Sequence, residues 1–242
     1  MSSLKGKVAF VPGGYGGIGA PICRALAKEG ARVIVAGRDL SKATSLARRI
    51  RGKAAFMDVR DVASIRNCLK GVKSLDILVN CVGMQREQKL GEVTEEAFDA
   101  VLATNLRAAM FLAQEAAKRQ KRGGKQVHLL SVRAQLGVRG RGYSAYCASK
   151  GGLVMLVKQH ASELGARGIC VNGVAPTVVR TEMGAHWLKN PKTRAWLRER
   201  IPLGRVAEPG DVAGAVLFFC SPASDFVTGQ ILYVDGGITA SQ

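Results

Sequence analysis

The stretch from Val8 to Gly30, VAFVPGGYGGIGAPICRALAKEG, restricts the fold more than any other. An apolar run from Val8 to Val11 breaks into glycines, and the chain then places Ile18, Ile22 and Leu26 on one side of a helix. A strand, a glycine-rich turn and a helix in that order open a βαβ unit suited to a dinucleotide. Glycine lets the backbone come close to a pyrophosphate, whose charge is met by amide groups at the helix start. Two patterns share these glycines. Gly14, Gly16 and Gly19 fit GxGxxG, while Gly13, Gly17 and Gly19 fit GxxxGxG, and the second is favoured because Gly13 directly follows the strand. A flexible turn without a ligand is the alternative.

The alternation continues to the end of the chain. Strand-like runs at Arg32 to Ala36, Ala54 to Met57, Leu75 to Val79, Val127 to Leu130, Gly168 to Ala175 and Ile231 to Val234 are separated by helix-periodic segments. One of these starts at Thr94 and carries Phe98, Val101, Leu102 and Ala109 as its buried stripe; another is opened by Pro209. This cadence predicts an α/β fold with a doubly wound parallel sheet flanked by helices. Over 242 residues, 47% of them hydrophobic, no Pro- or Ser-rich linker or repeat divides the chain, so residues 1–242 are read as a single domain. Ligands of such sheets bind at the carboxyl ends of strands, where Gly13, Arg38, Asp58, Asn80, Ser131 and Pro176 fall.

The chemistry is expected between Ser131 and Lys150, SVRAQLGVRGRGYSAYCASK. Tyr146 and Lys150 are one helical turn apart and share a face. A phenol titrates near ~10, too high for a base at neutral pH, and an adjacent ammonium lowers that value. Tyr146 could then exchange a proton with a substrate hydroxyl or carbonyl oxygen while Ser131 donates a hydrogen bond to it. Tyr143 has Cys147 at its fourth position and so lacks the cation. On a solvated face, however, such a Tyr–Lys pair does nothing chemical.

Beyond the second strand, Gly37 leaves room for a 2′-phosphate and Arg38 can pair with it, which favours NADP(H); Asp39, two residues late for a ribose acceptor, keeps NAD(H) possible. Asp58 is read either as an adenine acceptor or as a strand-end turn residue. Asn105 falls on the buried stripe of the helix from Thr94 and needs polar partners there, in a structural role as far as periodicity goes. The segment 182–205, with Trp187 and Trp196 among many charges, is read as a substrate lid or as a packed helix pair.

Other function classes are disfavoured. The six cysteines form no CxxC pair and the three histidines show no ligand spacing, so no metal site is expected. The start has too short an apolar run for a signal peptide and no run approaches a membrane span, predicting a reduced, soluble, cytoplasmic protein. A net charge of +18 could steer anionic substrates, but the basic clusters are dispersed and lack interleaved aromatics, so nucleic-acid binding is not expected.

Taken together in order, these residues resemble the short-chain dehydrogenase/reductase family over essentially the whole chain, with its Rossmann-type fold. The resemblance implies Ser131 orienting the substrate oxygen, Tyr146 as acid/base, Lys150 holding the nicotinamide ribose and lowering the tyrosine pKa, and Asn105 anchoring a proton-relay water. It further implies Gly13, Tyr15, Gly17, Ile18, Gly19, Arg38, Asp58, Val59, Asn80, Gly83, Pro176, Val179 and Thr181 around the cofactor, and a homotetramer built on the helices of Asn105 and Tyr146. Three departures stand out. Pro12 replaces the usual threonine, Asn80-Cys81-Val82-Gly83 replaces Asn-Asn-Ala-Gly, and Ser131 lies farther before Tyr146 than is usual. Gly83-Met84-Gln85-Arg86, Ala134-Gln135-Leu136-Gly137, Val171-Asn172-Gly173-Val174-Ala175-Pro176 and Ala223-Ser224-Asp225-Phe226-Val227 are similar to gluconate 5-dehydrogenase-like members. Those interconvert a sugar-acid hydroxyl and ketone. Arg86 and Arg133 are candidates for a substrate carboxylate. Reduction of a 3-oxoacyl thioester and a non-catalytic dinucleotide sensor are the competing readings.

Overall fold

The computed structural model describes residues 4–241, except for the side chains of Met183, His186 and Trp187. Seven parallel strands form one sheet in the order β3-β2-β1-β4-β5-β6-β7: β1 Val8–Pro12, β2 Arg32–Gly37, β3 Lys53–Phe56, β4 Ile77–Asn80, β5 Lys125–Leu129, β6 Cys170–Pro176 and β7 Ile231–Val234. Strand ends differ from the sequence reading by a residue or two. The exception with a physical cause is β5, which starts at the polar pair Lys125 and Gln126. Both are buried: Gln126 donates to the carbonyl of Ala113 (3.1 Å) and Lys125 pairs with Asp225 (2.7 Å).

Alternation along the strands divides the core between the two faces of the sheet. Ala9 and Val11 of β1 pack with Ile22 and Leu26 of α1 (Gly19–Lys28) on one side, and Phe10 packs with α3 (Val62–Lys70) on the other. Helix α2 (Leu40–Arg49) covers the first face as well. Each fully buried Ile, Leu or Phe of this kind contributes about 1.5–3 kcal/mol.

The segment from Thr94 is a helix in three parts: α4 (Glu95–Leu102), a π-helical turn (Ala103–Arg107) and α5 (Ala108–Ala117). Thr94 caps it by accepting from the Ala97 amide (3.2 Å). The π turn adds a residue to the ring and shifts the phase of the stripe, so that Thr104 and Asn105 are both buried while Phe98 and Leu102 are only half-buried. A short 3₁₀ turn (Val132–Ala134) follows β5, and α6 (Ser144–Gly165) carries Tyr146 in its first turn. After β6 come α7 (Glu182–Lys189), α8 (Pro191–Arg200) and α9 (Pro209–Cys220). Among the described residues no helix is long and apolar enough to cross a membrane, and no cluster of His, Cys, Asp and Glu could hold a metal ion.

The sheet order reverses between β1 and β4, which leaves a crevice at their carboxyl ends. Two glycines test how tightly the chain is built. A Cβ at Gly19 would collide with the Gly13 carbonyl, whereas one at Gly214, exposed on α9, would meet nothing within 4 Å. In urea unfolding, Gly19→Ala is expected to lose about 1–3 kcal/mol and Gly214→Ala to gain about 0.5–1 kcal/mol.

Candidate active site

The crevice is a groove of about 540 Å³, lined by Gly13, Tyr15, Gly17, Ile18, Gly19, Arg38, Asp58, Val59, Gly83 and Thr181. Gly13 adopts φ +70°, and a Cβ there would sit 3.0 Å from the carbonyl oxygen of Cys81. Only glycine lets the ends of β1 and β4 approach in this way. Helix α1 begins at the groove with neither a side-chain cap nor a carboxylate in its first turn. In that first turn the Ala20 amide donates to the Gly16 carbonyl (2.9 Å) and Pro21 has no N–H, which leaves the Gly19 amide to meet an anion. The departure at Pro12 is bridged through backbone: the Cys81 amide donates to the Pro12 carbonyl (3.0 Å) and the Gly13 amide to the Ala36 carbonyl (2.8 Å).

Several expected residues are placed differently. The space left by Gly37 is filled by the ring of Tyr15, whose hydroxyl accepts from the Asp39 amide (3.1 Å), so a 2′-phosphate cannot occupy it. Asp39 caps α2 by accepting from the Lys42 amide (3.0 Å) and pairs with the Lys42 ammonium (3.4 Å), which takes it away from a ribose. Arg60 grips Asp58 through Nε (3.2 Å) and Nη2 (2.8 Å), holding its carboxyl below the usual range. Arg60 and Arg86 line the same groove as Arg38, so three guanidiniums surround it. Asn80 is buried below the groove instead of lining it. Its Oδ1 accepts from the Val82 amide (3.1 Å), and its Nδ2 lies 3.4 Å from Nδ1 of His128, so it braces the turn after β4.

A second cavity, of about 130 Å³, adjoins the groove at Ile18 and Thr181 and is lined by Ser131, Tyr146, Pro176 and Val179. Ser131 Oγ accepts from the Arg133 amide (3.1 Å), and the Ser131 side chain lies near enough to the Tyr146 phenol to favour its charged form. The longer loop before α6 therefore leaves the serine and tyrosine together. Lys150 is buried, its Nζ donating to the Leu129 carbonyl (2.8 Å) and standing 5.7 Å from the centroid of the Tyr146 ring. A Cβ on Gly83 would lie 3.6 Å from that Nζ, so the absent side chain keeps the approach to Lys150 open.

Burial sets the protonation states here. It pushes the Tyr146 phenol up to about 12, against the lowering influence of Ser131 and Arg133, and pushes Lys150 down to about 8. The expectation that Lys150 lowers the phenol's pKa is not met in the protein alone: desolvation dominates, and the lowering influences come from Ser131 and Arg133. Asn105 is fully engaged as a donor: Nδ2 donates to the Met84 carbonyl (2.9 Å) and to Ser149 Oγ (2.9 Å), while Oδ1 accepts from the Met84 amide (2.8 Å). Its side chain fixes the loop above the groove.

Arg133 lines the cavity, but Arg86 does not; its neighbour Gln85 does. Thr177, Trp196 and Leu197 also line it. Trp196 and Leu197 belong to α8, so the pair α7–α8 forms one wall, with Leu197 packed against Val132, Ile201 and Ile238. Trp187 carries a side chain outside the described ones.

A family model described as enoyl-(acyl carrier protein) reductase matches residues 13–239. The chain is 39% identical to L-xylulose reductase of Bos taurus over 98% of both chains, and 35% identical to a 3-oxoacyl-(acyl-carrier-protein) reductase of Rickettsia conorii over 98% of this chain and 99% of that one. The chain belongs to the short-chain dehydrogenase/reductase family. A solved gluconate 5-dehydrogenase of Burkholderia cenocepacia J2315, in complex with NADP and tartrate, superposes with a TM-score of 0.94 at 33% identity, covering 99% of this chain and 98% of that one. It is accordingly an NAD(P)-dependent oxidoreductase.

For a short-chain dehydrogenase/reductase the groove fits its nucleotide: positive-φ Gly13, the helix start at Gly19 and the guanidiniums of Arg38 and Arg86 suit a phosphate-bearing ligand. Arg60, Gln85 and Thr177 were not singled out in the sequence. The alternation of Asp58 and Arg60 across one intervening residue was the available signal for the first, and none existed for the others.

Behind the site His128 is buried, and desolvation lowers its imidazole to about 3. It stays neutral in the fold while the unfolded chain protonates near ~6.5, so stability present above that pH is lost as pH falls towards about 3. Urea unfolding of His128→Gln across that window should show a shallower decline than the natural protein.

Proposed function

We propose that the chain catalyses reversible hydride transfer between NADP(H) and a secondary alcohol or ketone, the substrate being a small polar sugar acid or keto compound as for gluconate 5-dehydrogenase. The observation that carries this reading is that Ser131 and Tyr146 together line a cavity that adjoins the nucleotide groove, with Lys150 Nζ 5.7 Å from the Tyr146 ring centroid. A bound nicotinamide would supply or accept the hydride. Tyr146, protonated at neutral pH, gives its proton to the carbonyl oxygen during reduction, and Ser131 orients that oxygen. Lys150 holds the ribose beside it and offers a positive charge as the phenol loses its proton. Pro176, Val179 and Thr181 fix the ring's carboxamide side. Asn105 holds the Met84 loop in place and anchors the relay water near Lys150.

NADP(H) is favoured over NAD(H) because Arg38, which forms no ion pair among the described residues, lines the groove while Asp39 is engaged by Lys42. The neighbour solved with NADP supports the same preference. We assign α7 and α8, with the turn to residue 205, as the lid of the cavity. Helices α5 and α6, where Met155 stands exposed, are proposed as the contact between subunits of a homotetramer in the cytoplasm.

A second reading is 3-oxoacyl-thioester reduction, favoured by the Rickettsia conorii relative and by a net charge of +18 that would attract an acidic carrier. Fluorescence titration with NADPH and NADH, then NADPH absorbance with 5-keto-D-gluconate, L-xylulose and an acetoacetyl thioester, separates the readings. The expected outcome is NADPH binding at least tenfold tighter than NADH, and oxidation by 5-keto-D-gluconate faster than by the thioester. Turnover of the thioester alone establishes the second reading. Cofactor binding without turnover of any compound supports a sensor.

A further inference from the structure

Arg133 is the one charged side chain among the described residues lining the substrate cavity, and no carboxylate joins it among them. Its backbone is fixed to the catalytic serine through the 3.1 Å bond from its amide to Ser131 Oγ. Its guanidinium is steadied by Nη1, which donates to the carbonyls of Leu136 (3.2 Å) and Gly137 (2.7 Å). Nε and Nη2 have no hydrogen-bond partner among the described residues and form the free edge of the planar group.

A second guanidinium lies nearby. Burial disfavours the charge of Arg133, and Arg200 at the end of α8 disfavours it further. The Arg200 guanidinium carbon stands 5.3 Å from the centroid of the Trp196 ring, and Trp196 lines the cavity. The stacked ring therefore holds the Arg200 side chain beside the cavity wall. None of the ion pairs among the described residues includes either arginine. Two like charges with no counter-charge between them repel each other. An anion placed between them would replace that repulsion with two attractions, each a charge-assisted hydrogen bond.

We propose that Arg133 and Arg200 form an anion clamp for a carboxylate of the substrate, so that the enzyme acts on an acid-bearing hydroxy or keto compound in preference to a neutral sugar or a thioester. This rests on the reading of the cavity as the site of alcohol and ketone chemistry. Arg86, on the nucleotide side, takes no part. Arg133 also sits close enough to Tyr146 to favour its phenolate, so the carboxylate is held on the same short carbon chain as the reacting carbon. Gln85 lines the cavity as a neutral hydrogen-bonding group for the hydroxyls of that chain.

The test compares the natural enzyme, Arg200→Gln, Arg200→Lys and Arg133→Gln on 5-keto-D-gluconate and on L-xylulose, a neutral hydroxyketone. NADPH oxidation gives KM and kcat, and quenching of tryptophan fluorescence gives keto-acid binding to the NADP⁺ complex. Arg200→Gln should weaken keto-acid binding and kcat/KM by about tenfold to a hundredfold, mainly through KM, because the clamp holds substrate and transition state alike. L-xylulose should change by less than about twofold, and Arg200→Lys should recover part of the loss. An equal fall for both compounds, no change for either, or no keto-acid binding by the natural enzyme would overturn the clamp. Keto-acid binding that Arg200→Gln abolishes, without turnover in the natural enzyme, upholds the clamp and refutes the proposed reaction instead.

Discussion

The approach of β4 to β1 at Gly13 is the contact on which the site is built. With no side chain there, the Cys81 carbonyl comes close and the Cys81 amide reaches the Pro12 carbonyl. The crevice at the sheet reversal therefore closes around backbone groups, which leaves room for a ligand's phosphates on the α1 side and for a turn after β4 on the other. Asn80 braces that turn from below and Asn105 from above, through Val82 and Met84. Gly83 lies between them, next to Lys150. Cofactor groove and reacting residues thus share one short stretch of chain.

Dryness then decides the charges. Tyr146, Lys150 and His128 are all displaced towards their neutral forms by burial, to about 12, about 8 and about 3. A phenol kept protonated beside an ammonium that is still charged at neutral pH is ready to give up a proton, and the proton leaves most easily when a substrate oxygen gains charge nearby. Arg133 at the cavity and Arg200 beside its wall have no carboxylate partner among the described residues, in contrast to Arg60, which Asp58 neutralises. One side of the site is therefore left with unbalanced positive charge where the substrate enters.

Much of this was legible in the sequence, for identifiable reasons. The strand–glycine–helix opening, the alternation of apolar runs and the Tyr146–Lys150 spacing are local patterns that backbone geometry enforces, and the parallel sheet follows from them. What was not legible depends on contacts between distant segments. Gly37 accommodates the Tyr15 ring, a fact that needs the turn after β1 to fold over β2. Asp39 is a helix cap because α2 starts there, and Arg86 and Gln85 separate into two cavities because adjacent residues in an extended loop face opposite ways. The π turn at Asn105 leaves no mark in a stripe read at ordinary helical period, and the buried Lys125 and Gln126 hid the start of β5.

The central claim, that Tyr146 moves the proton while the rest of the site holds its ligands, is tested most directly by a single-turnover measurement on Tyr146→Phe loaded with NADPH. The phenyl ring keeps the packing and loses only the hydroxyl. The variant should bind NADPH within about twofold of the natural enzyme, yet reduce the ketone at least about a hundredfold more slowly. Reduction at close to the natural rate would show that the proton comes from elsewhere and would contradict the account.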